Sequence, residues 1–466
     1  MKNYTLLVLL IFIIGCSHNN NEIIPNKQLH YTNNDTPAFL ADSMLVEGYF
    51  NQFSFLQEDT AYLHLNSKVI LKNATLGIYD VNKQLKDYIK CDIIPQKIAN
   101  TDPYKNGYGY KVSYKYIIPS NLKSGLYFLA NNMPFLVKNG STSKPKIAIV
   151  HPSNTDIAYN KNGGMSYYYP SHQNRARVLS KERPWTFSEN GNSTSFYQWL
   201  GSLPYSFDFL SDEDIEDYNR IKDYQILIFI GHSEYWTRTA RLNFDKFINE
   251  NHHAIMLSGN SMYWQARYDV KTPSQQICYK YDAFTSDPIS DILLKTGRWE
   301  DARLNLNPLL SIGSNYYTYG GFQNPAKVGF GGYKILKPQN ELFKGLNFKY
   351  NDVMKFAADE YDGAKLSYVK NPANGADVYP VYDNVATNFY KVQLLAYDLA
   401  VPDWGGNDVH SGGLIILKKK ATSGVIINVG ASNWCKEISK PEIKKITTNA
   451  IEILQKSDKE LEGLFN

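Results

Sequence analysis

The sequence predicts an α/β protein, a doubly wound and mostly parallel sheet preceded by a small antiparallel β-sandwich. Three observations predict it. Ile226–Ile230 is five consecutive apolar residues ending at Gly231, the pattern of a strand buried on both faces. Similar runs at Lys146–His151 and Ala254–Leu257 alternate with helical segments. Strand–helix alternation implies parallel strands joined by crossovers, with helices on both faces. Between Glu47 and Lys138 the texture differs. Short β-branched and aromatic runs, such as the alternating Tyr110-Val112-Tyr114-Tyr116, are separated by Asn, Gly, Pro and Lys clusters, as in a sandwich.

Taken in order, residues 1–15 read as a secretory signal, with Lys2, an apolar run from Leu6 to Ile14, and Gly15. That run is too short to span a bilayer comfortably. Ile-Ile-Gly-Cys at 13–16 resembles the bacterial lipobox, which predicts lipidation of Cys16 and an exported protein anchored to the cell envelope. Residues 16–40 are polar and Asn-rich, a tether. Residues 41–140 are the sandwich, and Asn139–Lys144 is a polar hinge. Residues 145–466 form the α/β domain. Within it Thr194–Gly201 and the amphipathic Thr237–Glu250 are helical, and Arg267 to about Ala400, rich in Gly and Tyr, reads as an insertion around 267–400. Gly413–Lys418 and Gly424–Val429 make a hairpin-like pair of strands before a closing helix, Pro441–Lys456.

The 466 residues carry a net charge of +4, too small to point to nucleic acid or an acidic substrate. Cys91, Cys278 and Cys435 lack the spacing of a zinc site. With 36 tyrosines in the chain, a tyrosine counts only inside a patterned motif.

In open α/β sheets ligands bind just beyond the carboxyl ends of the strands. Four turns fall there: Ala158–Pro170, with Gly163-Gly164 amid tyrosines; Gly231–Trp236, with His232 and Glu234; Ser258–Trp264, with Asn260; and Asn433-Trp434. Each has a structural alternative. The tyrosines can be packing, His232 and Glu234 a satisfied cluster under a loop, and Asn260 a helix cap rather than a donor to a substrate oxygen. Ser233 is not an elbow nucleophile, because Tyr235 stands where G-x-S-x-G needs its second glycine. The acidic run Asp359–Gly363 reads as a solvated loop.

Tyr159-Asn160, Gly163-Gly164-x-Ser166-x-Tyr168, Arg183-Pro184, Gly231-His232-x-Glu234-Tyr235-Trp236 and Gly259-Asn260-x-x-x-Trp264 occur in this order. Together they resemble the C-terminal domain of the large (β) subunit of N,N-dimethylformamidase, over roughly Lys146 to Leu454. The resemblance implies a class I glutamine-amidotransferase-like fold and an amidohydrolase whose single ferric iron is held by two tyrosines and one glutamate. Phenolate and carboxylate are hard donors suited to such an ion. It further implies Tyr159, Tyr168 and Glu234 as ligands and His232 as an acid/base neighbour. Asn260 completes the expected catalytic set, and Trp236 and Trp264 are the expected substrate-binding residues. Ser233 departs from the acid that many relatives carry. The expected function is hydrolysis of a non-peptide amide C–N bond in a small molecule by a lipid-anchored protein. The alternative is a non-catalytic surface protein that binds a glycan or peptide through its aromatic edge. As partners the sequence points to a small-molecule amide and the membrane, allows an oligomer, and shows no small-subunit-like segment.

Overall fold

Alternation within the strand Ile226–Gly231 sets the layers of the molecule. Ile226, Ile228 and Ile230 pack with Phe196 and Trp199 of the helix Thr194–Gly201 and with Ile443, Ile446 and Ala450 of the helix Pro441–Ile453. Leu227 and Phe229 pack on the other face against Phe244 and Phe247 of the helix Arg238–Asn249. Each such buried side chain is worth about 1.5–3 kcal/mol. The computed structural model describes residues 45–465 except 131, 141–144, 186, 188–192, 371–377 and 406–407. The signal segment, Cys16 and the tether lie outside the described residues, as does most of the expected hinge.

The central sheet has nine strands. Their spatial order is Phe207–Ser211, Ile147–His151, Ile226–Gly231, His253–Ser258, Val425–Asn428, His410–Lys418, Lys391–Ala400, Gly332–Ile335 and Val353–Lys355. The first five are parallel. From Val425–Asn428 onward every pairing is antiparallel. This corrects the expectation of a doubly wound, mostly parallel, class I glutamine-amidotransferase-like sheet: the sheet is mixed, and strand outweighs helix. The cause lies in residues 267–400. Instead of standing apart as an insertion, they supply three strands to the same sheet, Gly332–Ile335, Val353–Lys355 and Lys391–Ala400. Antiparallel partners need only a short connection, whereas parallel ones need a crossover.

Before this sheet, three strands (Val46–Phe50, Thr60–Ser67, Tyr114–Ile117) and a five-stranded sheet enclose a core containing Phe55, Leu63, Leu76 and Phe135. That five-stranded sheet includes one parallel pairing, Ser54–Leu56 with Met133–Lys138. A buried ion pair, Lys138 Nζ to Asp214 Oδ1 at 2.6 Å, fastens it to the 3-10 turn Asp212–Glu216, and Ser54 Oγ donates to Asp214 Oδ2 at 2.8 Å. Among the described residues no helix is long and apolar enough to cross a membrane.

Candidate functional site

The chain leaves the strand Ile226–Gly231 through Gly231, whose φ of +69° is a left-handed conformation open to glycine. The turn delivers His232 and Glu234 to the carboxyl edge. Glu234 is held by its backbone: its N–H donates to Thr155 Oγ1 at 3.1 Å, and its carbonyl accepts from Tyr263 and Trp264 N–H, both at 3.0 Å. The tyrosine loop is folded around Arg183, a fully buried guanidinium that donates to the carbonyls of Ser180, Asn160, Asn162, Met165 and Ile157. Asn160 and Asn162 side chains donate to Pro184 O. Gly163 lets the loop pass Tyr104, since a Cβ there would lie 2.5 Å from Tyr104 N. Much of the motif therefore shapes the loop, and fewer of its residues face the site.

What the loop presents is Tyr168, whose hydroxyl donates to Glu234 Oε1 at 2.5 Å and accepts from Tyr235 Oη at 2.8 Å. Tyr159 stacks on Tyr168 with centroids 4.3 Å apart. Glu234 Oε2 is buried without a hydrogen bond. His232 Nε2 lies 2.9 Å from Glu360 Oε2 and 3.8 Å from Glu234 Oε2. Asn260 Nδ2 donates to Glu360 Oε2 at 3.4 Å, while Asn260 Oδ1 is buried with no partner. Lys280 Nζ sits 3.2 Å from the centre of the Tyr168 ring and donates to Tyr167 O at 3.4 Å.

The structure thus brings together Tyr159, Tyr168, His232, Glu234 and Asn260. Trp264 is buried beside them, its ring 5.2 Å from Lys280 Nζ. Trp236 is not there. It packs on Phe229 (4.9 Å) and Phe244 (5.8 Å) under the helix Arg238–Asn249, its indole N–H donating to Ser233 O. This corrects its expected role as a substrate-binding residue. Four members were missed. Glu360 lies in the acidic run expected to be solvated; its strand instead pairs Glu360 with Phe322 and turns the carboxylate inward to His232. Lys280 and Tyr316, the latter within electrostatic reach of Glu360 and Glu234, stand in irregular sequence with no signal. Tyr235 lies inside the motif and could have been found there.

Charge is expensive in this buried cluster. Burial pushes the Glu234 carboxyl up, opposed by His232 and Lys280. Burial alone would depress His232, but the Glu360 carboxylate, aided by Glu234, holds it up at about 9. Glu360 is net lowered, because His232 and its hydrogen bonds outweigh burial. Burial brings Lys280 down to about 7 against the pull of Glu234. Burial and the Glu234 charge push the Tyr159 and Tyr168 phenols well above their ordinary value. Among the described residues no three His, Cys, Asp or Glu side chains converge on one ion. A cation here would draw on the phenols. Two phenol oxygens and a carboxylate with one unbonded oxygen fit a hard trivalent ion.

A buried cluster of phenols and carboxylates at the carboxyl edge of a mixed sheet is the class of site defined here. The family described as N,N-dimethylformamidase beta subunit-like, C-terminal, matches residues 90–448, and the chain belongs to it. The match begins within the strand Leu85–Ile93 rather than near Lys146. No curated protein matches. Among solved structures, the cold-adapted β-galactosidase from Rahnella sp. R3 is similar at 11% identity over 68% of this chain and 32% of its own, with a TM-score of 0.33. A putative ThuA-like protein from Bacteroides uniformis shows 12% identity over 67% and 94%, TM-score 0.32. A β-galactosidase from Bacillus circulans sp. alkalophilus shows 9% over 66% and 31%, TM-score 0.31. The chain spans about a third of each β-galactosidase.

Proposed function

We propose that the protein hydrolyses a non-peptide amide C–N bond in a small molecule, with iron held by Tyr159, Tyr168 and Glu234. The observation that carries this is the Tyr168–Glu234 contact at 2.5 Å with Tyr159, the last residue of the helix Ser153–Tyr159, stacked on Tyr168. Iron would supply a Lewis acid that polarises the amide carbonyl and acidifies water. His232, kept protonated by Glu360, is placed to give a proton to the leaving nitrogen. Asn260 keeps Oδ1 to accept from a substrate N–H, while one Nδ2 hydrogen is engaged by Glu360. Lys280 offsets the Glu234 charge and braces the Tyr168 ring. Lipidation at Cys16 and export to the cell envelope complete the proposal, which places the substrate outside the cytoplasm.

Protein purified from iron-replete cells is expected to contain iron and to show a tyrosinate-to-iron charge-transfer band. Glu234→Ala abolishes that band together with hydrolysis of formamide or N,N-dimethylformamide or a longer amide. A colourless, metal-free preparation from such cells overturns the proposal.

A further inference from the structure

Beside the buried centre, five aromatic rings form an unbroken chain of edge contacts. It runs from Tyr281 to Trp264 (5.0 Å), Tyr263 (4.6 Å), Tyr316 (5.4 Å) and Phe322 (6.1 Å), with interplanar angles from 68° to 86°. The three middle rings are buried, whereas the ends are open: Tyr281 is 55% exposed and Phe322 38%. This wall touches the candidate site directly. Tyr316 lies within electrostatic reach of Glu360, and Trp264 backs Lys280. A second tier lies beside it. The Arg298 guanidinium sits 3.5 Å from the Tyr317 ring centre, Tyr317 lies 4.6 Å from Trp404, and Trp404 is 50% exposed. Asp403, which precedes Trp404 in the chain, is within electrostatic reach of Glu360, Arg298 and Lys280.

Scattered exposed apolar side chains need no explanation, but a cluster around a site does. An amide as small as dimethylformamide, seated at Glu234, would leave the outer rings without a role. A larger substrate would use them. Pyranose rings carry C–H-rich faces that pack on aromatic rings and hydroxyls that need both an acceptor and a donor; aryl rings need only the packing. Here the exposed rings are interleaved with a carboxylate and a guanidinium. Aromatic walls with a few placed polar groups are how pockets fix such ligands.

We propose that Trp404 and its neighbour Tyr317, with Arg298 and Asp403, form an outer subsite for a pyranose ring borne by the substrate next to its amide. The inference rests on the amidase reading and names its substrate class, an N-acylated amino sugar. Hydrolysis adds the oxygen of water to the acyl carbon, breaks the C–N bond and releases a carboxylate and the amino sugar as its ammonium form, whose nitrogen takes up both protons of the water.

Isothermal titration of the full chain with N,N′-diacetylchitobiose, acetanilide and N,N-dimethylformamide tests this. Chitobiose is expected to bind, and Trp404→Ala and Asp403→Asn each to weaken it at least tenfold, with the melting temperature unchanged. No chitobiose binding at millimolar concentration, equal affinity in Trp404→Ala, or a preference for acetanilide indifferent to Asp403→Asn overturns the subsite. The two proposals fail separately. Metal-free protein that binds chitobiose through Trp404 sinks the amidase reading and keeps the subsite as a glycan-binding surface. Iron-loaded protein that cleaves small amides and ignores chitobiose sinks the subsite alone.

Discussion

His151 and His232 both stand at the carboxyl edge of the nine-stranded sheet, one ending the strand Ile147–His151 and the other following its neighbour Ile226–Gly231. His151 is closed. Its Nε2 meets Asp156 Oδ2 at 2.7 Å, its Nδ1 meets the Tyr197 hydroxyl at 2.6 Å, and Phe53 and Phe187 cover the ring. Because a carboxylate only accepts, Nε2 carries the proton that faces Asp156. His232 is open. It faces two carboxylates, and beside it Glu234 Oε2 and Asn260 Oδ1 are buried without partners. The same residue types at the same edge therefore serve two purposes. A satisfied buried network specifies the fold, and one with capacity left over is where a ligand can add bonds.

The comparison breaks if substitutions at the two sites fail alike. The largest effect is expected for Glu234→Ala: amide hydrolysis falls at least about 10³-fold, or roughly 4 kcal/mol of barrier, while the melting temperature moves by only a few degrees. His151→Leu is expected to do the reverse. It removes the imidazole that bridges Asp156 and Tyr197, which costs about 3 kcal/mol of stability in urea unfolding, with turnover per folded molecule retained. Loss of iron from His151→Leu, with stability intact, would make the closed cluster part of the site. Glu360→Gln comes next. It keeps a hydrogen bond to His232 but removes the charge that favours the imidazolium, so turnover is expected to fall by roughly 10- to 100-fold while iron content stays. Unchanged turnover would return Glu360 to a structural role.

The open site was only half legible. Ile226–Gly231 announces itself because a strand buried on both faces must be apolar throughout, and a turn at its end must carry whatever chemistry the edge holds. Tyr159 and Tyr168 stand out only through the family resemblance that their motif carries, because thirty-six tyrosines make any single one uninformative. Glu360 was hidden. Its inward orientation comes from the pairing of Glu360–Tyr361 with Gly321–Phe322 and from a bridge between Tyr361 and Ala431, contacts among segments that share no local pattern. The sheet itself was misjudged for a similar reason. Parallel strands separated by helices leave a rhythm in sequence, but the antiparallel edge built from Gly332–Ile335, Val353–Lys355 and Lys391–Ala400 is spaced by irregular loops, which reads as an insertion.

A third histidine sharpens the contrast from the other end of the sheet. His253 begins the strand His253–Ser258, and its Nδ1 accepts from Val425 N–H at 3.0 Å. Burial depresses it to about 4, with His252 and Lys418 adding to the effect and Asp458 opposing it. At His232 burial acts in the same direction, and two nearby carboxylates reverse the outcome. For a group whose folded value is depressed, the stability it confers is complete above the ordinary value of 6.5 and is lost as pH falls towards 4. Between pH 7.5 and pH 5 the wild type is therefore expected to lose about 1–2 kcal/mol more than His253→Asn, whose side-chain oxygen can take over the Val425 bond without titrating. Urea unfolding at the two pH values measures the difference. Equal losses in the two proteins would mean that His253 takes up its proton as readily folded as unfolded, and that burial does not depress it.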